Sequence, residues 1–181
     1  MKKILKEVVP YIFILIIVVL IRTFIITPVT VVGDSMVPTL HNKELLLLSK
    51  ISYKLHDIER FDIVVIKEDD WIIKRIIGLP GENVFYENNT LYIDGSSVVD
   101  NYANGDTNDF DLNDICSVTL ERDNFDYDCP IDKIPEGYYL VLGDNRLISK
   151  DSRSVGLIPK EEIQGKVALR FWPLNKTGVI K

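Results

Sequence analysis

The segment W-I-I-K-R-I-I-G, residues Trp71–Gly78, places a lysine and an arginine in the middle of an isoleucine-rich run. Runs of this composition, bounded by turn residues, predict a β-strand. On a strand, residues of one parity share a face, so Lys74 is expected to lie with Ile72 and Ile76. Burial disfavours the charged ammonium, and a neutral amine can serve as general base for a serine hydroxyl. An edge strand that turns Lys74 to water, or a cross-strand ion pair, is the alternative.

Short apolar runs continue through the chain from residue 27 onward and predict a mainly β fold. Further strands are expected at Glu44–Ser49, Asp62–Lys67, Tyr138–Leu142 and Gly165–Phe171, and a hairpin at Val84–Tyr86 and Thr90–Asp94. Helical turns are expected at Pro38–His41 and Pro159–Ile163. No helical period longer than about two turns follows Ile26.

The N-terminal stretch has a different composition. Lys2, Lys3 and Lys6 precede an apolar run, and the span Val8–Ile26 is close in length to the ~20 residues that a membrane-crossing helix needs. The lysines before the span and the acidic residues after it predict a cytoplasmic N-terminus, with residues 28–181 outside. A cleaved signal peptide is the alternative, but the residues that follow the apolar run are not small.

Charge and cysteine content limit the function classes. The net charge is −6, with +3 on residues 1–28 and −9 on the remainder, which argues against nucleic acid as a partner. Cys116 and Cys129 fit an oxidising exterior, and from sequence a disulfide and two unpaired thiols are equally acceptable. We expect no metal site and no cofactor.

Ser35 is the candidate nucleophile. It lies in V-V-G-D-S-M-V-P-T-L, residues Val31–Leu40, where it is expected at the end of a strand. Taken alone it could be an ordinary turn serine. Neither His41 nor His56 has a sequence context typical of a catalytic base, so Lys74 is the candidate partner.

A polar loop, Gly143–Gly156, follows the strand predicted at Tyr138–Leu142. Asp151 and Arg153 are two residues apart and can form a charge pair on one face. A polar surface loop is the alternative, although such a density of hydrogen-bonding groups is typical of functional loops on a rigid scaffold. Residues 100–128, by contrast, are rich in acidic side chains and predict a solvated, partly irregular insert.

These motifs together resemble the type I signal peptidases, which are Ser–Lys proteases. After the N-terminal apolar segment, the matching segments are S-M-V-P-T-L at Ser35–Leu40, D-I-V-V at Asp62–Val65, K-R-I-I-G-L-P-G at Lys74–Gly81 and G-D-N-R-x-x-S-x-D-S-R at Gly143–Arg153. The resemblance implies antiparallel sheets that form a catalytic core, a smaller β or irregular cap insert, and one N-terminal transmembrane helix.

The resemblance also implies residue roles. Ser35 matches the nucleophile, Lys74 the general base and Ser149 the serine that orients the lysine, while Asp151 and Arg153 match a structural pair. Some members supply a second oxyanion donor from a serine two residues before the nucleophile, where this chain has Gly33. Phe61 stands where glycine is common. Walls of shallow substrate pockets are expected from Val31, Val32, Met36 and Ile73.

The expected substrates are signal-peptide-bearing preproteins cut after small residues, and membrane lipid is the other expected partner; the oligomeric state is left open. We expect the chain to divide into four parts. Residues 1–27 are the cytoplasmic tip and the anchor, residues 28–86 and 136–181 are the two parts of the catalytic core, and residues 87–135 are the hairpin and the acidic cap insert. Alternatives are a Ser–Lys protease with another substrate, such as a self-cleaving repressor-type domain, and a non-catalytic anchored binding protein. The joint presence of Ser35, Lys74 and Ser149 speaks against the last.

Overall fold

The computed structural model describes residues 2–67, 70–122 and 127–180. Within them the helices are α1 (Lys2–Phe24), α2 (Ser52–Leu55), α3 (Leu112–Arg122) and α4 (Ser152–Val155). The strands are β1 (Ile26–Thr30), β2 (Leu45–Ser49), β3 (Ile63–Lys67), β4 (Trp71–Gly78), β5 (Val84–Glu87), β6 (Thr90–Ile93), β7 (Ser96–Val98), β8 (Tyr138–Leu142), β9 (Ile158–Pro159), β10 (Ile163–Trp172) and β11 (Gly178–Val179). Short 3₁₀ helices lie at Lys160–Glu162 and Leu174–Lys176.

A large antiparallel sheet has the strand order β1-β2-β10-β3-β4-β8-β9, and β11 also pairs with β10. The strand predicted at Trp71–Gly78 is confirmed with the same bounds, as is the one at Tyr138–Leu142. β4 lies between β3 and β8, so the alternative of an edge strand is wrong. Its β-branched residues fit this internal position because both of its neighbours bury apolar side chains against it.

The N-terminal helix ends earlier than the sequence predicts. α1 stops at Phe24, and Ile26 already belongs to β1, where it pairs with Ser49. The prediction that the helix continues to Ile26 is therefore wrong, because Ile26 is already part of the large sheet. Among the helices of the described residues, none combines the length and the apolarity that a membrane crossing requires.

The residues between β4 and β8 form a second, three-stranded sheet, β5-β6-β7, followed by α3. The predicted hairpin is present, and the boundary expected at residues 86/87 falls inside β5. The expectation of a cap that is β or irregular is confirmed for the small sheet but misses α3, a helix of 11 residues. Its buried positions are Leu112, Ile115, Cys116 and Thr119, and a cysteine and a threonine weaken the apolar period that would reveal it.

Cys116 and Cys129 form a disulfide, which resolves the alternative that the sequence leaves open. Cys116 belongs to an apolar cluster that joins the small sheet and α3 to β8 through residues such as Val84, Ile115 and Leu140. The insert therefore shares its core with the large sheet.

Candidate active site

Ser35 and Lys74 are 39 residues apart in the sequence, and the structure brings them into direct contact. Lys74 Nζ lies 2.9 Å from Ser35 Oγ, within hydrogen-bond distance. Only 3% of Lys74 is exposed, whereas Ser35 is partly exposed. A serine nucleophile that is activated by a lysine requires this arrangement, in which a buried amine lies beside an accessible hydroxyl.

The surroundings of Lys74 on β4 are apolar. Its cross-strand partner on β3 is Val64, which belongs to one apolar cluster with Ile66 and Ile76, and Ile72 packs against that cluster. The predicted parity is therefore confirmed. Because burial penalises an ammonium more than a neutral amine, an apolar setting of this kind is the one that a lysine general base requires.

Ser35 lies in a turn and not at a strand end, since β1 already ends at Thr30. The turn is closed by backbone hydrogen bonds from Val37 N–H to Asp34 O (3.2 Å) and from Leu40 N–H to Met36 O (2.8 Å). The loop that follows β8 is hydrogen-bonded to this turn through Asn145. Asn145 N–H donates to Ser35 O (3.0 Å), and Asn145 Nδ2 donates to Asp34 O (3.2 Å).

Gly33 precedes this turn with φ +84°, a left-handed conformation that favours glycine. A Cβ at this position would meet no atom within 4 Å, so the backbone conformation and not crowding selects glycine. Its N–H donates to Asn42 Oδ1 at 3.4 Å. Gly33 thus brings no hydroxyl to the site, in line with the departure seen in the sequence.

A buried ion pair that the sequence analysis missed lies beside the dyad. Arg75 is fully buried, and it donates from Nε to Asp144 Oδ1 (2.8 Å) and from Nη2 to Asp144 Oδ2 (2.7 Å). Its Nη1 donates to Phe61 O at 2.8 Å. The sequence does contain a sign of this pair, because Arg75 is a second cation in the apolar run of β4, and a buried arginine needs a carboxylate partner.

Ser149 lies beside the nucleophile turn but does not form the hydrogen bond to Lys74 that the resemblance implies. Its Oγ is buried and has no hydrogen-bond partner. The hydroxyl packs over Gly143, where an added Cβ would come within 2.1 Å of Ser149 Oγ and 2.6 Å of Ser35 O.

The predicted charge pair between Asp151 and Arg153 is present. Arg153 donates from Nε and Nη2 to the two carboxylate oxygens, both at 2.8 Å. Asp151 also accepts from Gly143 N–H (3.0 Å) and caps α4, while Arg153 Nη2 reaches Arg146 O (2.9 Å). The pair therefore fixes the loop that carries Asn145 and Ser149.

Arg146 continues this loop into the insert. Its guanidinium is buried, forms an ion pair with Asp100, and donates to the Tyr86 hydroxyl at 2.6 Å. Burial raises the pKa of Asp100, but Arg146 and a hydrogen bond from Tyr86 outweigh it, so the net shift is downward. Burial is also the main cause that raises the pKa of Tyr86, and its hydroxyl stays protonated.

The residues expected to line substrate pockets divide into two groups. Val31, Met36 and Ile73 belong to one buried apolar cluster next to the nucleophile turn, whereas Val32 is 84% exposed. The buried three expose almost nothing to a peptide in this structure. β1, which ends at Thr30, is an edge strand of the large sheet, so its outer side is open to strand addition within the described residues.

Known proteins resemble this chain in sequence and in fold. The family model described as "Signal peptidase, peptidase S26" matches residues 4–172. Signal peptidase IB of Staphylococcus aureus (strain COL) is 38% identical over 97% of this chain and 93% of its own, and Signal peptidase I of Bacillus caldolyticus is 37% identical over 86% and 84%. The crystal structure of a signal peptidase I from Enterococcus faecalis V583 superimposes with a TM-score of 0.50 at 36% identity, and covers 62% of this chain and 97% of that one. The chain belongs to the signal peptidase family, peptidase S26.

Proposed function

We propose that this chain is a serine endopeptidase that cleaves signal peptides from exported preproteins, with Ser35 as nucleophile and Lys74 as general base. The observation that carries the proposal is the 2.9 Å contact between Ser35 Oγ and the buried Lys74 Nζ. The names of the relatives supply the substrate class.

In the first step the neutral Lys74 amine accepts the Ser35 proton while Oγ attacks the scissile carbonyl carbon. The resulting tetrahedral intermediate collapses when Lys74 returns this proton to the leaving nitrogen, which breaks the C–N bond and leaves an ester on Ser35. Lys74 then takes a proton from water, whose oxygen attacks the ester carbon. The bond between that carbon and Ser35 Oγ breaks, Lys74 returns the proton to Oγ, and the acid is released. The Ser35 N–H is the first candidate oxyanion donor, and a second must come from backbone or water because Gly33 has no hydroxyl.

Three further residues support this chemistry. The Asp151–Arg153 pair holds the loop that packs on the nucleophile turn. The Ser149 hydroxyl is buried and unpaired beside that turn. Hydrogen bonds in unliganded catalytic sites often form only when substrate binds, so this hydroxyl is available to Lys74 or to a bound peptide.

The substrate is an extended segment with small side chains at the first and third positions before the cut. It adds as a strand beside Thr30–Gly33, because β1 is an edge strand. Shallow pockets over Val31, Met36 and Ile73, with Val32 at the rim, accommodate the small side chains.

The apolar N-terminal segment is proposed as a single membrane anchor, with the N-terminus in the cytoplasm and residues 28–181 outside. The support is compositional, namely three lysines before an apolar run. Membrane lipid is then a partner, and the site is held where preproteins emerge. Residues 28–78 and 138–181 carry the large sheet and form the catalytic part, and the small sheet β5-β6-β7 with α3 forms its cap.

The test is incubation of the purified full chain with a reporter preprotein, with mass readout of the cut position. Ser35→Ala and Lys74→Ala each abolish cleavage, while Ser97→Ala and Lys160→Ala, at exposed positions, retain it. Full cleavage by either dyad variant would remove the assigned mechanism. Cleavage of folded proteins without a signal peptide would remove the substrate class.

A further inference from the structure

The segment Asp100–Asn104, which we name the strap, belongs to the acidic insert but contacts the polar loop Gly143–Gly156, which we call the catalytic loop. Asn104 forms an isolated parallel bridge with Asn145. Its N–H donates to Asp144 O at 2.7 Å, and its carbonyl accepts from Arg146 N–H at 3.0 Å. Asn145 is thereby held from one side by the strap, while its own N–H holds Ser35 O on the other side.

A second contact links the strap to the lysine strand. The ring of Tyr102 covers the Arg75 guanidinium, whose carbon lies 3.6 Å from the ring centroid. Arg75 directly follows Lys74 on β4. A cation stacked on an aromatic face in a desolvated site is held firmly, so the ring restrains the strand next to the general base.

Phe61 extends this stack. Its ring lies 5.2 Å from that of Tyr102, centroid to centroid, and its carbonyl accepts from Arg75. Phe61 has φ +69°, a strained conformation for a bulky residue. Contact with Tyr102 offsets this strain, which accounts for a phenylalanine at a position whose backbone suits glycine.

The third contact is the ion pair between Asp100 and Arg146, two buried side chains. Thr107 of the insert accepts from the same guanidinium at 3.1 Å, and Arg146 Nε donates to Gly143 O at 3.0 Å. The strap thus contacts Arg75, which follows Lys74 on β4, and Arg146, which follows Asn145 in the catalytic loop.

We propose that the strap is a positioning element of the active site. Tyr102 holds Arg75, and Asp100 and Asn104 hold Arg146 and Asn145, so that together they align Lys74 with Ser35. The inference rests on the proposed roles of Ser35 and Lys74. Because a displacement of about 1 Å can reduce a catalytic rate about 100-fold, loss of a strap contact lowers kcat without removing any reacting group.

The experiment compares Tyr102→Ala, Tyr102→Phe and Asp100→Asn with wild type in steady-state cleavage of a reporter preprotein by the full chain. Tyr102→Ala and Asp100→Asn are expected to lower kcat about tenfold or more with KM within about twofold. Tyr102→Phe retains the stacked ring and keeps wild-type kcat. Asp128→Asn removes the same charge from an exposed position of the insert and serves as the matched control.

Hydrogen exchange separates positioning from general stability. In the variants with low kcat, faster exchange is expected for the amides of Val37, Leu40 and Asn145, with unchanged protection in β3. If Tyr102→Ala is unfolded at the assay temperature, Tyr102→Leu replaces it, since it keeps an apolar contact with Phe61 but loses the stacking.

Wild-type kcat in a folded Tyr102→Ala or Tyr102→Leu variant would overturn the proposal, as would loss of protection spread evenly over the whole sheet. Ser35→Ala in the same series keeps the two hypotheses apart. If it still cleaves, the proposed mechanism fails; if it is inactive while the Tyr102 and Asp100 variants are unaffected, the strap alone fails.

Discussion

The two members of the dyad are held in different ways. Lys74 lies on an internal strand whose backbone is paired on both sides, so its position follows from regular sheet geometry. Ser35 lies in a turn outside any strand, and backbone and side-chain groups of a distant loop hold it, chiefly Asn145. The comparison teaches that the base is fixed by the fold, whereas the nucleophile is fixed by a set of individual polar contacts.

The largest expected effect comes from Lys74→Met, which keeps the length and apolar stem but removes the amine. Cleavage should fall by about 10⁴-fold or more, because the residues of a nucleophile–base pair act as a unit. The free energy of unfolding should not fall, since an apolar group of similar volume removes the cost of burying a polar amine. Kinetics and urea unfolding measure the two effects. Lys160→Met is the exposed control, and a marked loss of stability in Lys74→Met would contradict the view that the fold fixes the base.

The next effect is on stability. Arg75→Met leaves the buried Asp144 carboxylate without its bidentate partner, and such losses cost about 3–5 kcal/mol of unfolding free energy. Urea unfolding of the variant beside Lys160→Met measures the difference. A loss below about 1 kcal/mol would mean that the neighbouring Thr39 hydroxyl, which also bonds to Asp144, suffices to satisfy the carboxylate.

A smaller effect is expected at the nucleophile turn. Asn145→Ala removes the hydrogen bond to Asp34 O but keeps the backbone bond to Ser35 O. One such bond contributes about 1 kcal/mol, so kcat should fall about fivefold with little change in unfolding free energy. Asn175→Ala, in an exposed 3₁₀ turn, is the control. If the loss appears in stability and not in kcat, the turn does not depend on this contact.

The smallest effect concerns acid stability. Because Arg146 and Tyr86, against the effect of burial, hold the pKa of Asp100 below its ordinary value, the carboxylate stabilises the folded protein above its unfolded pKa of about 4. That contribution is lost as the pH falls through the lower folded pKa. Asp100→Asn should therefore show a shallower decline of unfolding free energy in this acidic range than wild type. Equal slopes in urea unfolding series would contradict it.

The sequence predicts those parts of the site that depend on local pattern. The apolar parity of Trp71–Gly78 predicts that Lys74 is desolvated, and the spacing of Asp151 and Arg153 predicts their ion pair. The partners of Arg75 and Arg146 are not predictable in this way, because Asp144 and Asp100 come from distant segments and only tertiary structure brings them together. α3 is missed for a different reason, since two of its four buried positions are cysteine and threonine and its helical period is weak.

Gly143 has no side chain, and the site depends on that fact. The Ser149 hydroxyl and the Ser35 carbonyl both occupy the space that a Cβ would take. Even alanine would therefore act as a wedge and force the catalytic loop away from the nucleophile turn, although it alters no group that exchanges a proton or forms a bond. A mutational survey confined to polar residues would overlook this position, where a single methyl group is expected to separate the loop from the nucleophile turn.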